Sequence, residues 1–204
     1  MQGRIPSTGV TSNLRRSMMT TSHTHTQSGS ARKSAKTASH TKANSSKGHD
    51  PATSLLMADH TKVKKLFKQF GKSKGKDALE DKARIVEQAC SELRIHTRIE
   101  EEIFYPAVKA ALGKDGDMID EALVEHASCK DLIAQLSVMK PGEEMFDSRF
   151  TVLSEFIEHH VKEEENELFP KVRRLKALNL EDLGEQMQQL KQSLSPDSEV
   201  VDAH

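Results

Sequence analysis

A chain of 204 residues accommodates one domain of ordinary size plus a tail, and is short for two full domains. Hydrophobic residues make up 35% and charged residues 30%, with no tryptophan, which suits a helix-rich protein with a modest core. No apolar run approaches the roughly 20 residues of a membrane helix, which argues against an integral membrane protein. The net charge of -1 conceals two unlike parts: residues 1–49 carry eight basic side chains and no acid, leaving 22 basic residues against 31 acidic ones. An acidic domain behind a basic tail disfavours nucleic-acid binding by the folded part.

Residues 1–50 are rich in Ser, Thr, Lys, Gly and His and nearly devoid of large apolar side chains, so they cannot bury enough surface to offset the entropy of ordering. A disordered basic tail is expected there, with a second disordered stretch at 196–204. The opening "MQGRIPSTGVTSNLRRSMMTTS" lacks acids, as an organelle transit peptide does, but Pro6 and sparse apolar positions break the amphipathic helix such a signal needs. The expectation is a cytoplasmic protein, with organelle transit the lesser alternative. Cys90 and Cys129 lie inside helical patterns rather than in a spaced framework, which indicates free thiols.

From Pro51 the pattern becomes helical and predicts one domain over 51–195. Leu56, His60, Val63 and Phe67 share one stripe of a first helix, which ends near "GKSKGKD", with Asp77 as cap of the next. A second helix runs to about Leu112 with Leu79, Ala83, Val86, Leu93, His96, Ile99 and Ile103 inward. A third carries Ile119, Ala122, Leu123, His126, Cys129 and Ile133. A fourth, from about Glu143 to Leu178, turns Phe146, Phe150, Leu153, Ile157, His160, Glu164 and Leu168 inward. Pro106 and Pro170 are expected to kink the second and fourth helices. A short fifth segment places Leu180, Leu183, Met187 and Leu190 at helical spacing. Long helices joined by short loops predict an all-α, up-and-down antiparallel four-helix bundle with a short fifth helix outside it.

The chain also repeats itself. Residues 96–106, "HTRIEEEIFYP", align without gaps to 160–170, "HVKEEENELFP", matching at His, two Glu and Pro. A lone histidine precedes each copy, His60 by 36 residues and His126 by 34. Residues four apart on a helix share a face, so His96 with Glu100, and His160 with Glu164, each present an imidazole beside a carboxylate on a buried stripe. One histidine on an apolar stripe is ordinary; four, one per helix, with two glutamates inside a repeat, are not. Unpartnered buried carboxylates cost several kcal/mol each, a cost a metal removes. Mixed nitrogen and oxygen donors suit iron or manganese, and bridging carboxylates suit a pair of ions. His159 is turned about 100° from the stripe and is expected on the helix flank. Glu101, Glu102, Glu163 and Glu165 are expected to be solvated, with Glu101 and Glu165 reaching inward only if the helix unwinds. Tyr105 is expected as a core aromatic with its hydroxyl toward the site.

"MADH" around His60, "HTRIEEEIFYPA", "EALVEHASCKDLI" and "HHVKEEENELFPKVRR" together resemble the hemerythrin-like, or HHE cation-binding, family. The resemblance covers about residues 51–195. It implies a four-helix bundle around two non-haem iron ions per chain, with His60, His96, Glu100, His126, His160 and Glu164 as ligands, Glu165 being the alternative to Glu164. A small ligand such as oxygen, peroxide or nitric oxide would be bound or consumed there for sensing, storage or detoxification. Lys130 stands where oxygen carriers of this family add another histidine, which points away from reversible carriage. The competing function is an iron-responsive interaction module whose fold is set by metal loading.

Overall fold

Asp50 opens the first helix: its carboxylate accepts a hydrogen bond from the Thr53 N–H at 2.8 Å, and Pro51 fills the first helical position, where a missing N–H costs nothing. The computed structural model describes residues 50–74 and 77–195. The N-terminal tail with its expected disorder and transit signal, the C-terminal stretch, and His23, His25, His40, His49 and His204 lie outside the described residues. Helix α1 spans Pro51–Phe70, α2 Ala78–Ile99, α3 Tyr105–Leu112, α4 Asp117–Ser137, α5 Phe146–Glu163, α6 Phe169–Val172 and α7 Leu180–Leu194. Among the described residues there is no strand, and no helix is long and apolar enough to cross a membrane.

The four long helices pack in a ring, α1 on α2, α2 on α4, α4 on α5 and α5 on α1, while α7 lies against α1 and α2. Their buried side chains form two apolar clusters. One gathers Val63, Phe67, Val86, Leu93, Cys129, Phe150, Leu153 and Ile157. The other gathers Leu56, Ile99, Phe104, Val108, Ile119, Phe169, Leu183 and Met187. Between them sit the buried polar residues His60, His96, Glu100, His126, His160 and Glu164.

Four local expectations fail. The second and fourth helices are not simply kinked at proline: each widens into one π-helical segment, Glu100–Phe104 and Glu164–Leu168, before its proline. Pro106 has no N–H to give the Glu102 carbonyl, and its ring would meet that carbonyl in an α-helix; an i to i-5 bond from Tyr105 N to Glu100 O opens the turn instead. The same bond from Phe169 N to Glu164 O precedes Pro170. The fourth helical run ends at Val172 rather than Leu178, because the chain tightens through Arg174 and Leu175 and then resets at Asn179, whose side chain caps α7. Leu79 and Leu123 are exposed rather than inward: Leu79 sits in the first turn of α2 at the end of the bundle, and Leu123 is rotated one residue off the His126 stripe. Asp77 makes no side-chain cap bond.

Helix α7 contributes more to the core than an outlying helix would, since Met187 is wholly buried. It approaches closely at Gly184, where a Cβ would lie 2.6 Å from Pro51 Cβ and 2.8 Å from Ala52 N. Only glycine permits that backbone contact.

Candidate metal centre

Two groups of metal-capable atoms share one residue. His60, His96, Glu100 and Glu164 form one, and Glu100, His126 and His160 form the other, with the donor atoms of each lying within 4.8 Å of one another. Glu100 Oε2 is 3.2 Å from His96 Nε2 and 3.4 Å from His126 Nε2. Glu164 Oε2 is 3.3 Å from His60 Nε2 and 3.6 Å from His160 Nε2. The inner ring nitrogens themselves converge in pairs, His60 with His96 at 3.2 Å and His126 with His160 at 3.1 Å. All six residues named from the sequence are therefore brought to one buried layer. His159 is not, being 65% exposed on the flank of α5.

The outer ring nitrogens meet four acids that the sequence argument did not assign. Glu101 lies 3.0 Å from His126 Nδ1, Glu165 3.0 Å from His60 Nδ1, and Glu125 2.8 Å from His160 Nδ1. Asp59 lies 3.6 Å from His96 Nδ1. A carboxylate on Nδ1 fixes the ring and leaves Nε2 as the free donor. Glu165 is thus turned to the back of His60, while Glu164 faces the centre. Lysines back three of these acids: Lys64 with Glu165 at 3.2 Å, Lys130 with Glu101 at 2.6 Å, and Lys191 of α7 with Asp59. Lys64 and Lys130 each stand four residues after their lone histidine, so the repeat extends to them.

The two halves differ at the residue before the proline. Tyr105 donates from its hydroxyl to Glu164 Oε1 at 3.0 Å, whereas Phe169, at the matching position, stacks on the His60 ring with centroids 5.9 Å apart. Burial pushes the Tyr105 hydroxyl well above its ordinary range, and the nearby Glu100 and Glu164 add to this, so it stays a donor.

Electrostatics test whether a cation belongs here. Both oxygens of Glu100 and Oε2 of Glu164 are buried and accept no hydrogen bond from the protein. Burial, reinforced by Glu164, drives Glu100 well above the usual carboxylate range. Burial alone would raise Glu164 too, but His60 and His160 outweigh it and hold that carboxylate low. Burial, and then the neighbouring His160, depress His126 to about 4, and burial depresses His96 also, so these imidazoles are neutral and able to donate a lone pair. Neutral nitrogens around a carboxylate with unanswered oxygens make a donor set that a divalent cation completes. Cys90 and Cys129 take no part: both are free and buried, and burial pushes each thiol up to about 11.

Four helices with an imidazole from each and carboxylates on two of them define a metal-binding helical domain, and comparison with known proteins names its kind. Residues 52–172, more than half of the chain, match the hemerythrin HHE cation binding domain, and the chain belongs to that family. Membership implies metal binding, typically of iron, and the donors described above suit it. A "DNA nickase" of Nostoc sp. is 29% identical over 119 residues, which cover 58% of this chain but only 32% of that protein. The "Uncharacterized protein Rv2633c" of Mycobacterium tuberculosis is 28% identical over 138 residues, 67% of this chain and 82% of that one. The crystal structure of a hemerythrin HHE cation binding domain-containing protein from Mycobacterium kansasii, a homolog of Rv2633c, superposes with a TM-score of 0.59 at 26% identity. It covers 72% of this chain and 88% of that one.

Proposed function

We propose that this is a non-haem di-iron protein whose centre binds or reacts with a small ligand such as oxygen, peroxide or nitric oxide, in sensing, storage or detoxification. The observation that carries it is Glu100, wholly buried, with Oε2 between His96 on one side and His126 on the other. A carboxylate in that position serves two ions better than one. In this reading His60, His96 and Glu164 hold one ion, His126 and His160 hold the other, and Glu100 belongs to both. Iron, when bound, supplies a Lewis acid and a source of electrons. The protein's part is to orient the imidazoles through Asp59, Glu101, Glu125 and Glu165 on their outer nitrogens, and to hold the Tyr105 hydroxyl on Glu164.

Lys130, at the position where the family's oxygen carriers add a histidine, is engaged with Glu101 instead. One imidazole fewer favours consumption of oxygen over its storage. The up-and-down antiparallel order belongs to the same proposal: α1 crosses the polar layer from Leu56 to Val63, and α2 crosses from Leu93 to Ile99 in the opposite sense between the two clusters. Buried free thiols accord with the reducing cytoplasm.

Anaerobic reconstitution with ferrous iron tests the proposal. Elemental analysis should find about two iron ions per chain, and less than about half an ion, or a strong preference for zinc, overturns it. Oxygen then admitted should be consumed and not recovered under vacuum. Full recovery would make carriage the function.

A further inference from the structure

The near-symmetry of the centre fails at one acid. Glu101, Glu165 and Asp59 are each backed by a lysine, and Lys191 of α7 covers Asp59. Glu125, the counterpart of Asp59 in the second half of the repeat, has no lysine among the described residues. Its Oε2 holds His160 Nδ1 at 2.8 Å, and its Oε1 faces His159 Nε2 at 4.0 Å on the surface. His159 in turn lies 3.3 Å from Glu163, and the atoms of Glu125, His159 and Glu163 are close enough to grip one cation.

A cavity of about 100 Å³ opens beside this group and ends at the centre. Its polar lining is His160 and the carboxylates of Glu121, Glu125, Glu163, Glu164 and Glu167, with neither lysine nor arginine. Among its lining residues is Glu164, whose Oε2 is buried and accepts no hydrogen bond. A wall of carboxylates in a low-dielectric cleft focuses field lines that draw cations, repel anions and do nothing for a neutral oxidant.

We propose that this cleft is the loading route of the centre, and that Glu125, His159 and Glu163 form a surface site that captures a divalent cation before it passes to His160 and Glu164. The proposal rests on the metal-binding reading above. His159, idle in the centre itself, gains a role as an exposed first ligand. Glu125 belongs to the surface group and backs His160 with its other oxygen, and Glu125, Glu163, Glu164 and His160 line one cleft, so the two sites adjoin. On the opposite side the ion pair of Lys191 with Asp59 closes the equivalent position, so loading has one direction.

The test is stopped-flow mixing of the full-length metal-free protein with cobalt(II), whose visible absorption reports nitrogen and oxygen ligation. Glu121→Gln/Glu167→Gln and His159→Ala/Glu163→Gln should each slow loading by about tenfold, and added salt should slow the parent but less so the first variant. Final cobalt content should stay at the parent value in both. A control, Glu87→Gln/Glu155→Gln, removes the same charge as the first variant from exposed positions outside the cleft and should load at the parent rate. Variants loading as fast as the control overturn the route while leaving the centre intact. A fall in final content for His159→Ala/Glu163→Gln overturns it too, since those residues would then belong to the centre. A parent that takes up no cobalt overturns the centre along with the route.

Discussion

Glu100 has no exposed surface and no hydrogen bond to either oxygen, and burying a carboxylate in that way costs several kcal/mol unless it binds a proton or a cation. Its raised affinity for protons supplies the first remedy in the metal-free protein. Metal binding must displace that proton, whereas His126, depressed to about 4, has none to give at neutral pH. Calorimetric titration of metal into the protein at pH 7 in buffers of different ionisation enthalpy should therefore show release of about one proton assignable to Glu100. By sign, affinity falls as the pH drops, because the protonated carboxyl competes with the ion. Glu100→Gln should abolish both the proton release and the metal, yet leave the metal-free protein at least as stable as the parent, since a neutral amide replaces a carboxylate that has no partner. A destabilised metal-free Glu100→Gln would show that the carboxyl is held by the fold and not by a cation. The six inner residues were legible because their spacing obeys helix geometry. Asp59, Glu101, Glu125 and Glu165 were legible only in part: an acid precedes each lone histidine and a second glutamate follows each first one, but which ring each acid backs depends on the facing helix, which a single helix's periodicity does not contain.

At the scale of elements, periodicity located four inward stripes and a fifth helix, and it missed what depends on hydrogen-bond register. The two π segments arise because proline lacks a donor and needs room at the carbonyl four residues back, so the chain gains one residue per turn just where Glu100 and Glu164 point inward. The extra residue keeps both Phe104 and Tyr105 buried beyond it. The contact of α7 with α1 was equally invisible, because Gly184 in a helical run looks like a weak helix position costing about 1 kcal/mol against alanine. Its neighbours say otherwise. Gly184→Ala should lower stability by about 1 to 3 kcal/mol despite the better helix propensity, because the added carbon meets backbone atoms of Pro51 and Ala52 that cannot step aside. Urea unfolding followed by circular dichroism reads this directly, and a stabilised variant would mean that α7 docks elsewhere.

Over the whole molecule, the polar layer divides the core. Helices α1, α2 and α4 have buried apolar residues of one cluster before their histidine and of the other after it, and the run of α5 passes from the first cluster to the second between Val161 and Leu168, so the buried polar layer lies between the two. Ions held in both groups would together tie all four helices at that waist, adding stability by mass action that grows with their affinity. Without them, both oxygens of Glu100 and Oε2 of Glu164 stay buried without a hydrogen bond. The resulting penalty falls on the waist rather than on the apolar ends, where Phe67, Phe70 and Phe150 pack ring against ring. Hydrogen exchange should therefore change unevenly when a chelator removes the metal: amides of the two π segments and of the turns around His60 and His126 should lose at least about tenfold in protection, roughly 1.4 kcal/mol of opening free energy. Amides near Phe70, Val86 and Phe150 should keep theirs until the whole domain unfolds. Equal loss along every helix would refute a divided core, because it would mean that the domain opens only as a single unit whose stability the metal raises everywhere alike.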